Sequence, residues 1–149
     1  MKRLAITLTL GFIAIFSSLL HAQSVVELDK QQFLEKVWNY ETNPNAWVYN
    51  GSLPCVIDFN AKWCGPCRKM EKGVFPQEKL GKFMNERFVP LMMDMEEGEG
   101  LKVAEKYNIQ IFPTMLVLLP NGAKEGEIVG AEFDIDSLIG MLKTIIHEE

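Results

Sequence analysis

Apolar positions along the chain alternate between short runs and helical stripes. Residues 25–28 are β-prone, and Asp29 behind them is placed to cap a helix. Phe33, Leu34, Val37 and Trp38 recur at the spacing of one helix face, which predicts an amphipathic first helix packed on a sheet. Turn signals then fill 39–54, and Trp47, Val48 and Tyr49 among them read as anchors tying a long loop to the body. Residues 55–60 form an apolar strand interrupted by Asp58. The helical pattern that follows meets Gly73 and Pro76, which stop or kink it, and a second helical piece is predicted over 77–87. Residues 98–107 read as a further helix. The stretches 114–119 and 127–129, joined through Asn121-Gly122, predict an antiparallel edge hairpin. The stripe Ile135, Leu138, Ile139, Leu142 and Ile145 predicts a closing helix over 134–146. The chain contains no internal repeat, low-complexity tract or phosphate loop.

The first residues change this picture. Lys2 and Arg3 precede an uncharged apolar stretch over 4–20, and a short exit ends at Ala22, the pattern of a secretory signal peptide. Cleavage after Ala22 is the expectation; Leu20 is larger than the residue usual at its place before such a cut, so an uncleaved membrane anchor is the alternative. The remainder, 23–149, is one domain, long enough to bury a real core. The whole chain carries a net charge of −5, and loss of Lys2 and Arg3 makes it −7. Such an acidic domain is a poor binder of nucleic acid or anionic lipid. The acidic residues are spread along the chain apart from a cluster at 94–99, and the charge is read as serving solubility alone.

The candidate chemistry lies in Ala61-Lys62-Trp63-Cys64-Gly65-Pro66-Cys67, directly after the apolar strand. Disulfide exchange needs one cysteine whose thiolate is stabilised and a second within reach. If a helix begins near Pro66, Cys64 lies at its first turn, where unpaired N–H groups and the helix dipole favour an anion. Cys67, one turn deeper, is then the resolving thiol, and Cys64 is expected to be exposed and acidic. A structural disulfide would not need Trp63 before the pair or Gly65-Pro66 within it. A zinc site normally needs four ligands, and the only other cysteine is Cys55 and the only histidines His21 and His147. No metal or cofactor is expected. Cys55 alternates with Ile57 and Phe59 and reads as a small buried hydrophobe. Asp58 is a carboxyl group in an apolar strand, where burial raises the pKa and costs free energy unless the group is partnered.

At these residues the sequence resembles a family. Ile57-Asp58-Phe59-Asn60-Ala61-Lys62-Trp63-Cys64-Gly65-Pro66-Cys67 looks like the active-site strand and helix start of the thioredoxins. Ile111-Phe112-Pro113-Thr114 is similar to the family's cis-proline loop, and Asn121-Gly122 and Val129-Gly130-Ala131 follow in the family's order. The segment Cys67-Arg68-Lys69-Met70-Glu71, with Val74-Phe75, looks more like the secreted branch linked to membrane thiol:disulfide interchange reductases than like cytosolic thioredoxin.

The resemblance implies an α/β thioredoxin fold with a central mixed β-sheet flanked by helices on both faces. It places 88–94 inside that sheet, where Pro90 cannot donate a ladder hydrogen bond, so pairing is expected to start after Pro90 or to carry a bulge. It also implies that Cys64 and Cys67 are catalytic, that Asp58 moves protons to and from Cys67, and that the Phe112–Pro113 bond is cis. From its place in the apolar strand, Asp58 is expected to be a buried acid coupled to Cys67 and not to the solvent. The lysine that thioredoxins often place near this aspartate is replaced at Pro90. Trp63, Gly65, Pro66, Phe112, Pro113 and Gly130 would bind substrate. The implied activity is reduction of protein disulfides in the periplasm or outside the cell, by a monomer that receives electrons from a membrane thiol:disulfide donor. A disulfide oxidant or isomerase, or a binding or chaperone module without turnover, are the rival readings.

Overall fold

The computed structural model describes residues 29–43 and 51–148. The strand expected at 25–28, the leader at 1–22 and the loop anchors Trp47, Val48 and Tyr49 lie outside the described residues. The elements in chain order are α1 (Lys30–Lys36), β1 (Cys55–Asn60), α2 (Gly65–Gly73), α3 (Glu78–Arg87), β2 (Val89–Asp94), α4 (Gly98–Lys106), β3 (Thr114–Leu118), β4 (Lys124–Val129) and α5 (Ile135–Ile145). Asp29 caps α1 reciprocally, its carboxylate accepting from the Gln32 N–H at 2.8 Å while the Gln32 side chain accepts from the Asp29 N–H at 3.1 Å. The break between α2 and α3 falls across Gly73 and Pro76, where the sequence places it.

The strands are ordered β2-β1-β3-β4, with β1 parallel to β2 and antiparallel to β3, and β3 antiparallel to β4. This is the expected mixed sheet. The side chains of β1 alternate between two cores. Cys55, Ile57 and Phe59 join Leu116 and Leu118 beneath α1 and α4, packed with Phe33, Trp38 and Val103. Val56 joins Met115, Val117 and Ile128 on the other face, covered by α2, α3 and α5 through Met70, Leu80, Phe83, Leu138 and Leu142. Asp58 keeps the phase of Val56 and so points toward α2. A side chain at Gly126 of β4 would bring its Cβ within 2.9 Å of Ile145, so α5 lies directly on that strand.

Two expectations are corrected. Pro90 belongs to the ladder, opposite Val56 in an unbroken β1–β2 register. The Val89 N–H bonds the Pro54 carbonyl at 2.9 Å, so the nitrogen of Pro90, one residue on, faces away from β1, where the missing N–H costs this ladder nothing. β4 also begins earlier than predicted, at Lys124, with an irregularity against β3 between Val117 and Leu118. Lys124 and Glu125 were hidden from a hydrophobicity reading because they are polar residues on an exposed strand. The Asn121-Gly122 turn stands as expected, Gly122 holding φ +79° and the Asn121 side chain accepting from the Ala123 N–H. Among the described residues, no helix is long and apolar enough to cross a membrane.

Candidate active site

Strand β1 delivers the chain to its two paired cysteines through a short turn in which the Cys64 N–H bonds the Ala61 carbonyl at 2.9 Å. Cys64 is the N-cap of α2, one residue before the helix start, with Pro66 in the first turn, where its missing N–H is not needed. Cys64 and Cys67 are joined in a disulfide with Cα atoms 5.3 Å apart. The Cys67 N–H, one of the helix's unpaired first-turn donors, points at the Cys64 Sγ at 3.2 Å. A thiolate at Cys64 would meet that donor and the positive end of the helix dipole.

Cys64 was expected to be exposed, and in the disulfide it is not. Cys64 is 3% exposed and Cys67 4%, both packed with Ala61 and Phe112. The surface presented over them is aromatic: Trp63, 64% exposed, stands edge-on to Phe112 with ring centroids 5.1 Å apart. The Phe112–Pro113 bond is cis, as expected. The Thr114 hydroxyl donates to the Ile111 carbonyl at 2.9 Å and the Gly130 N–H to the Pro113 carbonyl at 2.9 Å, so the proline loop and Gly130 form one ledge. The structure thus brings Trp63, Gly65, Pro66, Phe112, Pro113 and Gly130 to the same end of the sheet as the disulfide.

Asp58 is 6% exposed, and its Oδ1 has no hydrogen-bond partner among the described residues. Burial pushes its carboxyl up to about 7; the Asn60 side chain pulls the other way, and the charge of Glu71 adds to the rise. Asp58 and Cys67 line one cleft of about 260 Å³ together with Asn60, Ala61, Lys62, Arg68, Glu71 and Met92. Asp58 is buried, as expected, and the exposed side chains of Lys62, Arg68 and Glu71 in the wall carry the cleft to the surface. Cys55, the third cysteine, is a free thiol 2% exposed on the opposite face of β1, and burial alone pushes it up to about 12. This is the buried hydrophobe that its alternation predicts.

Sequence reasoning missed the residues that hold this segment from outside. The Trp63 indole N–H donates to Glu96 at 2.8 Å, Lys62 pairs with Glu97 at 2.6 Å, and the Met95 N–H bonds the Asn60 carbonyl at 3.0 Å. The acidic cluster at 94–99, read only as solubilising charge, was their one signal.

The comparisons agree with this geometry. The thioredoxin family model matches residues 24–144. Thioredoxin H2-1 of Oryza sativa subsp. japonica is 33% identical over 122 residues, covering 81% of this chain and 78% of its own length. The thioredoxin of Borreliella burgdorferi is 33% identical over 97 residues, covering 65% of this chain and 78% of its own. A solution structure of a proposed disulphide-isomerase from Bacteroides thetaiotaomicron superposes with a TM-score of 0.59 at 30% identity, over 83% of this chain and 93% of that one. The family match spans every element that carries the disulfide, and the chain is therefore a member of the thioredoxin family, a thiol:disulfide oxidoreductase of the thioredoxin type.

Proposed function

We propose that this protein reduces disulfides of other proteins outside the cytoplasm, with Cys64 as nucleophile and Cys67 as resolving thiol. The observation that carries the assignment is the Cys67 N–H aimed at the Cys64 Sγ at the start of α2, which favours charge on Cys64 over charge on Cys67. In the reduced protein the Cys64 thiolate attacks one sulfur of a substrate disulfide, forming a mixed disulfide and releasing the other substrate sulfur as a thiolate. Asp58 takes the proton from the Cys67 thiol, and the Cys67 thiolate attacks the Cys64 Sγ. The mixed disulfide breaks, the second substrate sulfur leaves as a thiolate, and the Cys64–Cys67 bond forms. Two electrons have passed from the dithiol to the substrate, and the open cleft lets Asp58 return its proton to solvent. A base whose pKa lies near the working pH suits this role.

The substrate disulfide would lie along Trp63, Gly65, Pro66, the Phe112–Pro113 ledge and Gly130, with the Phe112 backbone pairing with the partner chain. The leader pattern at 1–22 supports export, and an exported reductant needs an electron source, which we assign to a membrane thiol:disulfide donor. The redox-active disulfide serves in place of a cofactor, and the protein acts as a monomer. Direction is tested by the reduction potential. A value near thioredoxin's, about −270 mV, supports the reductant, and one near that of a strong oxidant, about −120 mV, supports the oxidant or isomerase reading. The residue roles are tested with Cys67→Ser and insulin: a stable mixed disulfide on Cys64 is expected, and none forms if the roles are reversed. Fractionation of the full chain, with the mature N-terminus read at Gln23, tests the location.

A further inference from the structure

Trp63 and Phe112 form the surface over the disulfide, yet the group that fixes them comes from neither the motif nor the proline loop. The turn between β2 and α4 lies beside the residues that follow β1 and is fastened to them at three successive positions. Met95 bonds the Asn60 carbonyl at 3.0 Å, Glu96 receives the Trp63 indole N–H at 2.8 Å, and Glu97 pairs with Lys62 at 2.6 Å. The turn is itself held in shape: the Glu96 N–H bonds the Asp94 carboxylate at 2.9 Å, Gly98 takes φ +56°, and a Cβ at Gly100 would run into the Asp94 carbonyl. The Lys62–Glu97 pair is mostly solvated, 74% and 64% exposed, and such a pair contributes little. The Glu96 bond differs because its donor is a large ring. An indole 64% exposed is held by packing on one side, against Phe112, and the Glu96 carboxylate, itself exposed, meets its polar edge with a charge-assisted hydrogen bond that favours one ring angle.

We propose that Glu96 is a positioning residue for the disulfide exchange. Its carboxylate holds the Trp63 indole, the indole holds Phe112 by its edge, and Phe112 packs on the Cys64–Cys67 pair. Glu96 thereby presets the aromatic ledge against which a partner protein docks, and acts on the sulfur chemistry only through that ledge. The inference rests on the proposed reductase reading for its kinetic arm.

The test uses Glu96→Ala, Glu96→Gln and Trp63→Phe, singly and with each Glu96 change combined with Trp63→Phe, in the full chain. With insulin as substrate, Glu96→Ala should raise KM roughly threefold to tenfold with kcat nearly unchanged, because docking is affected and the sulfur step is not. Glu96→Gln, which keeps an oxygen acceptor, should restore most of the loss. In the Trp63→Phe background, Glu96→Ala should add nothing, because the donor is already gone. A small aromatic disulfide, which needs no ledge, should be reduced at the wild-type rate by Glu96→Ala. An equal effect of Glu96→Ala with and without Trp63, or a fall in kcat alone, overturns the proposal. An independent arm reads the indole N–H proton resonance of Trp63, which should move upfield in Glu96→Ala and return in Glu96→Gln. If wild type fails to reduce either substrate, the reductase reading has failed, while an unmoved indole resonance sinks the Glu96 proposal on its own.

Discussion

Cys55 and Cys67 are withdrawn from solvent to nearly the same degree, 2% and 4% exposed, yet one is a lone thiol and the other half of a disulfide. The two lie on opposite sides of the same strand. Cys55 shares a core with Ile57, Phe59, Leu116 and Leu118, and burial alone acts on its thiol, pushing it up to about 12. Cys67 lies in the first turn of α2, next to a cleft that holds a carboxyl group of its own. Loss of solvent is common to both, so the difference comes from what replaces the solvent: alkyl groups in one case, and helix-end dipoles with a proton acceptor in the other.

The largest way to break this comparison is to remove each sulfur. Cys64→Ala or Cys67→Ala should lower insulin reduction by about a thousandfold or more, since each removes a bond-forming atom from the cycle. Cys55→Ala should retain turnover; a comparable loss there would mean that the third thiol takes part. The native protein should also alkylate at Cys64 when reduced while Cys55 resists at pH 8, and early labelling of Cys55 would contradict its burial.

Asp58→Asn should have the next largest effect, with opposite signs on rate and stability. The Cys67 step loses its base and should slow by about tenfold to a hundredfold. For stability, the folded pKa of Asp58 is about 7 and the unfolded one about 3.9. The folded state therefore binds more protons between those values, and its stability is fully present below the lower one and lost as pH rises through the upper. Asn escapes that loss, so the variant should gain on wild type from pH 4 to pH 7 by a few kcal/mol in all and hold a constant margin above. Denaturant midpoints across that range decide it; a variant that is less stable and equally fast would make Asp58 an ordinary carboxylate. The smallest effect is on packing: Cys55→Ala leaves a small void in the core that Cys55 shares with Ile57, Phe59 and Leu118 and should lower stability by about 1–2 kcal/mol, measured by the same titration.

What the sequence disclosed follows from how far apart the cooperating residues are. The Cys64–Cys67 spacing, the Asp29 cap and the alternation of Cys55, Ile57 and Phe59 are local, and periodicity reads them directly. Asp58 was legible because a carboxyl group inside an apolar strand violates the pattern. Glu96 and Glu97 were not, because they reach Trp63 and Lys62 across 33 and 35 residues through the pairing of β1 with β2, and that register is a tertiary fact. Pro90 was misjudged for a related reason: a proline is harmful or harmless according to the side its nitrogen faces, and composition does not show the side. The burial of Cys64 depends on Phe112, 48 residues away in the chain, closing over it.

Strand β1 is bonded along both edges, to β2 and to β3, and both of its faces are covered by helices. Its amides should be among the slowest in the molecule to exchange with deuterium, released only in the largest opening events. Asp58 rides on that strand, whereas Trp63 and the cysteines follow its end. Excursions that loosen the turn and the ledge to admit a partner can therefore occur while the strand that carries the carboxyl group keeps its pairing on both edges. Deuterium uptake compared between the oxidised and reduced protein should change around 61–67 and 111–113 and leave β1 untouched.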